Sequence, residues 1–142
     1  MPGIRTLTRR MTLRVEFHQV DMMGVAHNSR YFIWFERGRL QLIGEFLPID
    51  YAVENQLATP VVVNHCEYLA PATVNDQLVL TTRHRVLQKW EGRFVFDHSI
   101  SNAKSKVELC HGSTEVTLVD WKTQSLIKEI PRPIWDRYQS LF

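Results

Sequence analysis

Tyr31-Phe32-Ile33-Trp34-Phe35 sets five large apolar side chains in a row. Wound into an α-helix at about 100° per residue, such a run is apolar nearly all round, so the element belongs inside a protein rather than on its surface. Glu36, Arg37, Arg39, Gln41 and Glu45 supply a wetter side further on. The spacing predicts a helix from Ser29 to Gly44 or Glu45, capped by Asn28 or Ser29 and ended by Gly44 and Pro48. Gly38 inside it costs roughly 1 kcal/mol against alanine, for which close approach to another backbone is the expected compensation. A buried helix must be enclosed, and most of the remaining chain reads as strand.

Residues 1–10 read as a loose arm. Met11, Leu13, Val15 and Phe17 then alternate, predicting a first strand from Met11 to Val20 and a turn at Asp21 to Gly24. Asp50 to Gln56 forms one or two helical turns. Val61 to Leu69 reads as a strand and Pro71 to Asp76 as a connection. Gln77 to Trp90 is a long strand showing Leu78, Leu80, Thr82, His84 and Val86 on one face. Glu91-Gly92 signals a tight turn, and Arg93 to Ser101 returns with Phe94, Phe96, His98 and Ile100 alternating. After a polar loop at Asn102 to Lys106, Val107 to Val119 is another long strand with Gly112 as a bulge. Pro131-Arg132-Pro133 leads into a short closing helix. The economical answer is α+β: one domain over 1–142, a long central helix wrapped by a single antiparallel β-sheet of about five strands. The sheet's other face then needs cover, which predicts a partner subunit.

Composition excludes several function classes. The 142 residues are 44% hydrophobic, enough for a core without metal or disulfides. A net charge of +2, with no basic run interleaved with aromatics, does not fit nucleic acid. No stretch approaches the ~20 apolar residues of a membrane span. Cys66 and Cys110 lie in apparent strands without C-x-x-C spacing and read as buried reduced thiols, so the cytoplasm is the expected compartment. His18, Asp21 and His27 match no metal-ligand spacing. His65, His84, His98 and His111 read as satisfied sheet residues. Ser113 sits in no G-x-S-x-G elbow, and there is no phosphate-binding glycine loop.

Chemistry concentrates where the first strand meets the helix. Asp21 falls on a turn just before a helix N-terminus, where free backbone N–H groups and the positive end of the helix dipole are presented. A carboxylate facing such donors can attack a carbonyl or act as base beside it, although Asp is also a common turn residue. Asn28 is a plain cap on the bland reading, and its backbone N–H is a carbonyl-polarising donor on the functional one. His27 is a site wall, a proton donor or a satisfied residue at the helix entry. Tyr31 and Trp34 read as core or pocket lining, with Met22, Met23 and Phe32 nearby. Glu36 reads as a structural ion pair with Arg39 or Arg37.

The ordered blocks Asp21-x-x-Gly24-x-x-His27-Asn28-x-x-Tyr31-x-x-Trp34-Phe35-Glu36-x-x-Arg39, then Glu67-Tyr68-Leu69-Ala70-Pro71-Ala72 with Asp76, then Gly112-Ser113-Thr114 through Asp120 and Pro131, resemble the hotdog-fold acyl-CoA thioesterases of the 4-hydroxybenzoyl-CoA thioesterase and YbgC-like type. The resemblance runs from about Leu13 to Pro133. It implies a hotdog fold, a homotetramer or dimer with sites at subunit interfaces, and hydrolysis of an acyl- or aroyl-CoA thioester. Asp21 would be nucleophile or general base, and the N–H at Asn28 would polarise the carbonyl. Gly24 would let the turn pass close to the substrate, and Tyr31 and Met23 would line its pocket. Many relatives carry a histidine seven residues after the aspartate; here that place is Asn28, with His27 one step earlier. No cofactor is implied, since coenzyme A is part of the substrate. Its phosphates need cations, for which Arg83, Arg85, Lys89 and Arg93 are candidates beside Lys104 and Lys106. The alternatives are an acyl-carrier-protein thioesterase and a non-catalytic acyl-CoA-binding module.

Overall fold

In the computed structural model, which describes residues 5–142, β1 (Thr6–Arg14), β3 (Val61–Tyr68), β4 (Gln77–Arg85), β5 (Phe94–Asn102) and β6 (Glu108–Val116) form one antiparallel sheet in the order β1-β4-β5-β6-β3. Helix α1 (Ser29–Ile43) lies on one face of it, with Tyr31, Trp34, Phe35, Gly38, Leu42 and Ile43 turned inward. The strand periodicity supplies the other half of that core: Leu78, Leu80, Thr82 and His84 on β4 and Phe94, Phe96, His98 and Ile100 on β5 are all buried. Helix α2 (Ile49–Glu54) and the closing helix α3 (Arg132–Gln139) complete the expected helices. None is long and apolar enough to cross a membrane.

Several boundaries differ from the sequence reading. Thr6 to Arg10 belong to β1 rather than to an arm, while residues 1–4 lie outside the described residues. That strand stops at Arg14, because Val15 turns aside to exchange hydrogen bonds with Asn75 and Asp76, and Phe17–Gln19 form a short 3-10 turn. Phe17 therefore continues the alternation in sequence but faces solvent. A second small sheet of two-residue strands, β2 (Leu57–Ala58), β7 (Val119–Asp120) and β8 (Ser125–Leu126), stands beside the expected single one.

Gly112 is not the bulge. It is in register with both Cys66 and His98, and the irregularities fall between Val61 and Val63 of β3 and where Ile100 and Ser101 of β5 meet Cys110 and Glu108. A glycine is needed there because a Cβ would overlap the His65 carbonyl oxygen and stand 2.9 Å from Phe35 Cε2. Gly38 is also a close approach, though to the Thr82 and Leu80 side chains rather than to backbone. Nor is α1 buried all round: Ile33 and Leu40 share its exposed side.

The sheet's outer face carries Arg10, Arg83, Arg85, Asp97, His111 and Glu115 in alternation with buried residues. It is polar enough to face water, so the premise that it needs cover does not hold. His65 and His111 lie on this side, 3.7 and 3.6 Å from the Glu67 carboxylate, His65 exposed and His111 half-buried, rather than satisfied inside the sheet. Cys110 is buried and Cys66 half-buried, both as free thiols.

His84 and His98 do sit satisfied in the core. His84 Nδ1 donates to the Val95 carbonyl at 2.9 Å, so Nε2 accepts from the Tyr138 hydroxyl at 2.7 Å, which fastens α3 to the sheet. His98 belongs to a chain of hydrogen bonds running across four strands beneath α1. Thr114 donates to Asn64 Oδ1 at 2.7 Å, and so accepts from His98 Nε2–H at 3.3 Å. That leaves His98 Nδ1 to accept from the Thr82 hydroxyl, also at 3.3 Å. Phe35 stacks flat on the imidazole at 4.4 Å.

Burial, reinforced by the Arg39 guanidinium, lowers the His98 pKa to about 3. The unfolded chain therefore binds a proton that the folded chain refuses, from about pH 6.5 down to about 3. The stability tied to this residue is complete above pH 6.5 and is lost as the pH falls through that window, with about 2 kcal/mol gone by pH 5. Melting temperatures should drop between pH 7 and 5, and less steeply in His98→Gln. Equal slopes would assign the acid sensitivity to other groups.

Candidate active site

The turn at Asp21 is a tight hairpin built largely from its own backbone. His27 N–H donates to the Gln19 carbonyl at 3.0 Å, Val20 bridges to Ala26, and Asp21 and Val25 close the tip at 2.9 Å. Gly24 takes φ +75°, a left-handed conformation that side chains resist, and donates to the Asp21 carbonyl at 3.0 Å. Ala26 N–H bonds to Ala72 and Val74 N–H to Gly24, which clamps the hairpin against the segment leading into β4.

The Asp21 side chain is part of this turn. Its Oδ1 accepts the Met23 N–H at 2.8 Å and the Val25 N–H at 3.3 Å. The bland reading of Asp21 as a turn former is thus correct as far as it goes. It is compatible with chemistry, because pinning one oxygen orients the carboxylate while the other stays available at an exposed position. Met22 and Met23, next in the chain, and Phe17 before it are large apolar side chains open to solvent.

The start of α1 lies at the base of the same hairpin. Asn28 has helical dihedrals, and its side chain makes no cap bond. The capping expected of Asn28 or Ser29 falls instead to His27, whose Nδ1 accepts the Ser29 N–H at 3.2 Å and sits 2.8 Å from Ser29 Oγ. Nδ1 as acceptor leaves a neutral ring's proton on Nε2. Among the described residues the Asn28 N–H makes no backbone hydrogen bond, while its carbonyl accepts the Tyr68 hydroxyl at 2.9 Å.

Tyr68 was not among the candidates singled out in the sequence. It ends β3 and meets Tyr31 edge-on at 5.0 Å, and Tyr31 meets Trp34 at the same distance. Loss of water around the phenol, reinforced by the Cys66 thiol, pushes its pKa up to about 12, so it stays a donor. Its place on the inner phase of an edge strand, just where that strand exits, was the available signal. His27, Asn28, Tyr31 and Tyr68 are thereby drawn together, and Asp21, Met23 and Gly24 form a second group on the hairpin tip. Tyr31 and Trp34 are both core residues, with Tyr31 at the site's inner wall.

The candidate cations divide. Arg85 is held by two hydrogen bonds to Asp97 at 2.9 and 3.0 Å, and Arg93 reaches Glu115 at 3.3 Å, both on the outer face with Arg83. Lys89 lies apart, in the connection between β4 and β5. Glu36 stands 3.8 Å from Arg39, a long contact for a buried guanidinium whose Nε has no partner among the described residues.

Residues 15–137 match the profile of the thioesterase-like superfamily. A protein of Aquifex aeolicus named "Putative esterase" is 30% identical over 105 residues, covering 68% of this chain and 79% of its own. A 1,4-dihydroxy-2-naphthoyl-CoA thioesterase from Synechocystis shares the fold at a TM-score of 0.77 and 21% identity, over 94% of this chain and 97% of that one. A Staphylococcus aureus protein solved in complex with CoA superimposes at a TM-score of 0.82 with 11% identity, over 99% and 87% of the two chains.

Proposed function

Because the chain belongs to the thioesterase-like superfamily and is a thioester hydrolase on that ground, we propose that it cleaves an acyl- or aroyl-CoA ester to the free acid and coenzyme A, using Asp21. The observation that carries this reading is the Asp21 carboxylate, oriented through one oxygen by the Met23 and Val25 N–H groups and open at the other. That oxygen attacks the thioester carbon to give a mixed anhydride, or takes a proton from a water that attacks it. In either course water supplies the new acid oxygen, the carbon–sulfur bond breaks, and the departing thiolate ends protonated.

Negative charge on the carbonyl oxygen is met by the Asn28 N–H at the start of a 15-residue helix whose dipole points the same way. His27 Nδ1 and the Tyr68 hydroxyl fix the two ends of the next peptide unit, Asn28–Ser29, and the Arg30 N–H holds the carbonyl of the donor's own unit at 2.9 Å, so the donor is in place before substrate arrives. Met23 and Tyr31 line the acyl group's path, and Gly24 keeps the turn thin beside it. No cofactor is needed, because CoA enters as part of the substrate. Among the named cations, Lys89 is the one we place nearest to CoA-binding use, since Arg85 and Arg93 are already engaged.

We read α1 as the central helix of a hotdog arrangement and the protein as a homo-oligomer, a dimer or dimer of dimers. The outer edge of β3 supports this: Val61, Val62, Val63 and Tyr68 are exposed along a strand with no partner on that side. The free thiols of Cys66 and Cys110 suit a reducing cytoplasm.

The test is thiol release by the wild-type chain from a panel of aroyl- and medium-chain acyl-CoA esters and their carrier-protein counterparts. Turnover concentrated in one CoA class is expected and would name the acyl group. Binding without thiol release from any ester would overturn the enzyme reading in favour of a ligand-binding module.

A further inference from the structure

At the opposite end of β4 from the Asp21 hairpin, the β4–β5 connection and the C-terminal segment border a shallow, open cleft of about 450 Å³. Nine residues of β4 put roughly 30 Å between the two places. The cleft is walled by Trp90 and Trp135, with Lys89, Lys128 and Arg132 against the single acid Glu129.

Both indoles are fixed from behind. Trp90 Nε1 donates to the Ile127 carbonyl at 3.0 Å and its ring packs on Phe94 at 4.9 Å. Trp135 stacks on Tyr138 at 5.2 Å. Each ring is half-buried and contributes to the lining of the cleft. The cations are uncommitted by comparison. Among the described residues no ion pair takes up Lys89 or Lys128, and Arg132 faces Asp136 at 3.5 Å in a pair so exposed that a phosphate can displace it.

Rigid aromatic faces beside surplus positive charge select a flat ring carrying anionic oxygens. An uncharged apolar ligand would leave three ammonium and guanidinium groups around it unused. We propose that this cleft binds a purine nucleotide, its base stacked on the tryptophans and its phosphates met by Lys89, Lys128 and Arg132. The nucleotide has two possible sources: a free nucleotide, or the bisphosphorylated adenosine end of a CoA whose thioester enters the site of a second copy, since roughly 30 Å exceeds the reach of CoA to this chain's own Asp21. Its assignment to CoA rests on the thioesterase reading, whereas the binding itself does not.

Calorimetric titration of the full chain with adenosine 3′,5′-bisphosphate tests the site at two salt concentrations. Binding that quenches tryptophan fluorescence, weakens with salt and falls roughly tenfold in Lys128→Ala/Arg132→Ala is expected. Trp135→Leu, checked by its melting curve, should remove much of the quenching. The source follows from KM values for a CoA ester and the matching N-acetylcysteamine ester, which lacks the nucleotide. A KM ratio raised about tenfold in the double variant identifies CoA. An unchanged ratio alongside nucleotide binding identifies a free nucleotide. No binding by the wild type, equal binding by the double variant, or an effect confined to carrier-protein esters would overturn the proposal. Absence of any hydrolysis would leave the titration untouched, so the two readings fail separately.

Discussion

Asp21→Asn should reduce kcat for thioester hydrolysis by about 100- to 10,000-fold, while the melting temperature stays within a degree or two of wild type. The two halves of that expectation come from different atoms. The turn uses Asp21 Oδ1 as an acceptor for the Met23 and Val25 N–H groups, and a carboxamide oxygen can accept the same two bonds, more weakly but at an exposed position where the difference is small. Chemistry uses the second oxygen, which the substitution replaces with an NH₂ that neither attacks nor takes a proton. Thiol release and a thermal melt on the same preparations check both halves. An unchanged rate would remove Asp21 from the mechanism and turn attention to His27 and Glu36. A large loss of stability would instead show that the bland role dominates.

Gly112→Ala should be the most damaging single-methyl change in the sheet. The added carbon would overlap the His65 carbonyl oxygen and approach Cys66 Cα at 3.0 Å and Phe35 Cε2 at 2.9 Å. Two of these three neighbours are backbone atoms of β3, so relief requires pulling the edge strand away from β6. Overpacking of this kind costs about 3 kcal/mol, which for a domain of this size lowers the melting point by about 10 °C. Because β3 also carries Tyr68, activity should fall further than the fraction unfolded accounts for. Gly38→Ala provides the comparison. Its Cβ would meet the Thr82 hydroxyl and the Leu80 side chain, both buried and Thr82 also bonded to His98, so it too should destabilise, by displacing side chains and not the backbone of a strand. Equal melting curves for Gly112→Ala and wild type would refute the packing argument.

Much of the architecture was legible because the sequence writes it as periodicity. Four inward residues of β4 and four of β5 alternate without a fault, and the apolar block after Asn28 forms a helix packed on the sheet, though Ile33 within it is exposed. What was missed had no periodic trace. The alternation through Phe17 continues in letters after the chain has already turned at Val15, where backbone bonds to Asn75 and Asp76 decide the path. Strands of two residues, as in β2, β7 and β8, are too short to show a period at all. Gly112 resembled a bulge because steric exclusion by a neighbouring strand leaves the same single letter as a backbone irregularity.

The candidate site was legible to a similar depth. Asp21, Gly24 and Asn28 announced a turn followed by a helix start, and the chain makes both. That His27 rather than Asn28 accepts the helix's first N–H depends on where an imidazole nitrogen points, which residue type alone does not specify. Tyr68 lies forty residues from Asn28 and reaches it only through the pairing of β3. The polar character of the sheet's outer face was present in the sequence, in the residues between the buried ones. Reading only the apolar phase of each strand hid it.

The file of side chains from Thr82 through His98 and Thr114 to Asn64 has a consequence for how this sequence can drift. Each hydroxyl or ring nitrogen that gives its proton forward must receive one from behind, so the row has a single sense from β4 to the β3 edge. Losing one member orphans a buried neighbour, whereas exchanging adjacent members together for hydrocarbon of like shape orphans fewer. Changes along the row are therefore strongly epistatic. Lineages descending from this chain should keep the four residues as a set or replace them in neighbouring pairs, and the order of replacement is constrained by which proton is stranded at each step.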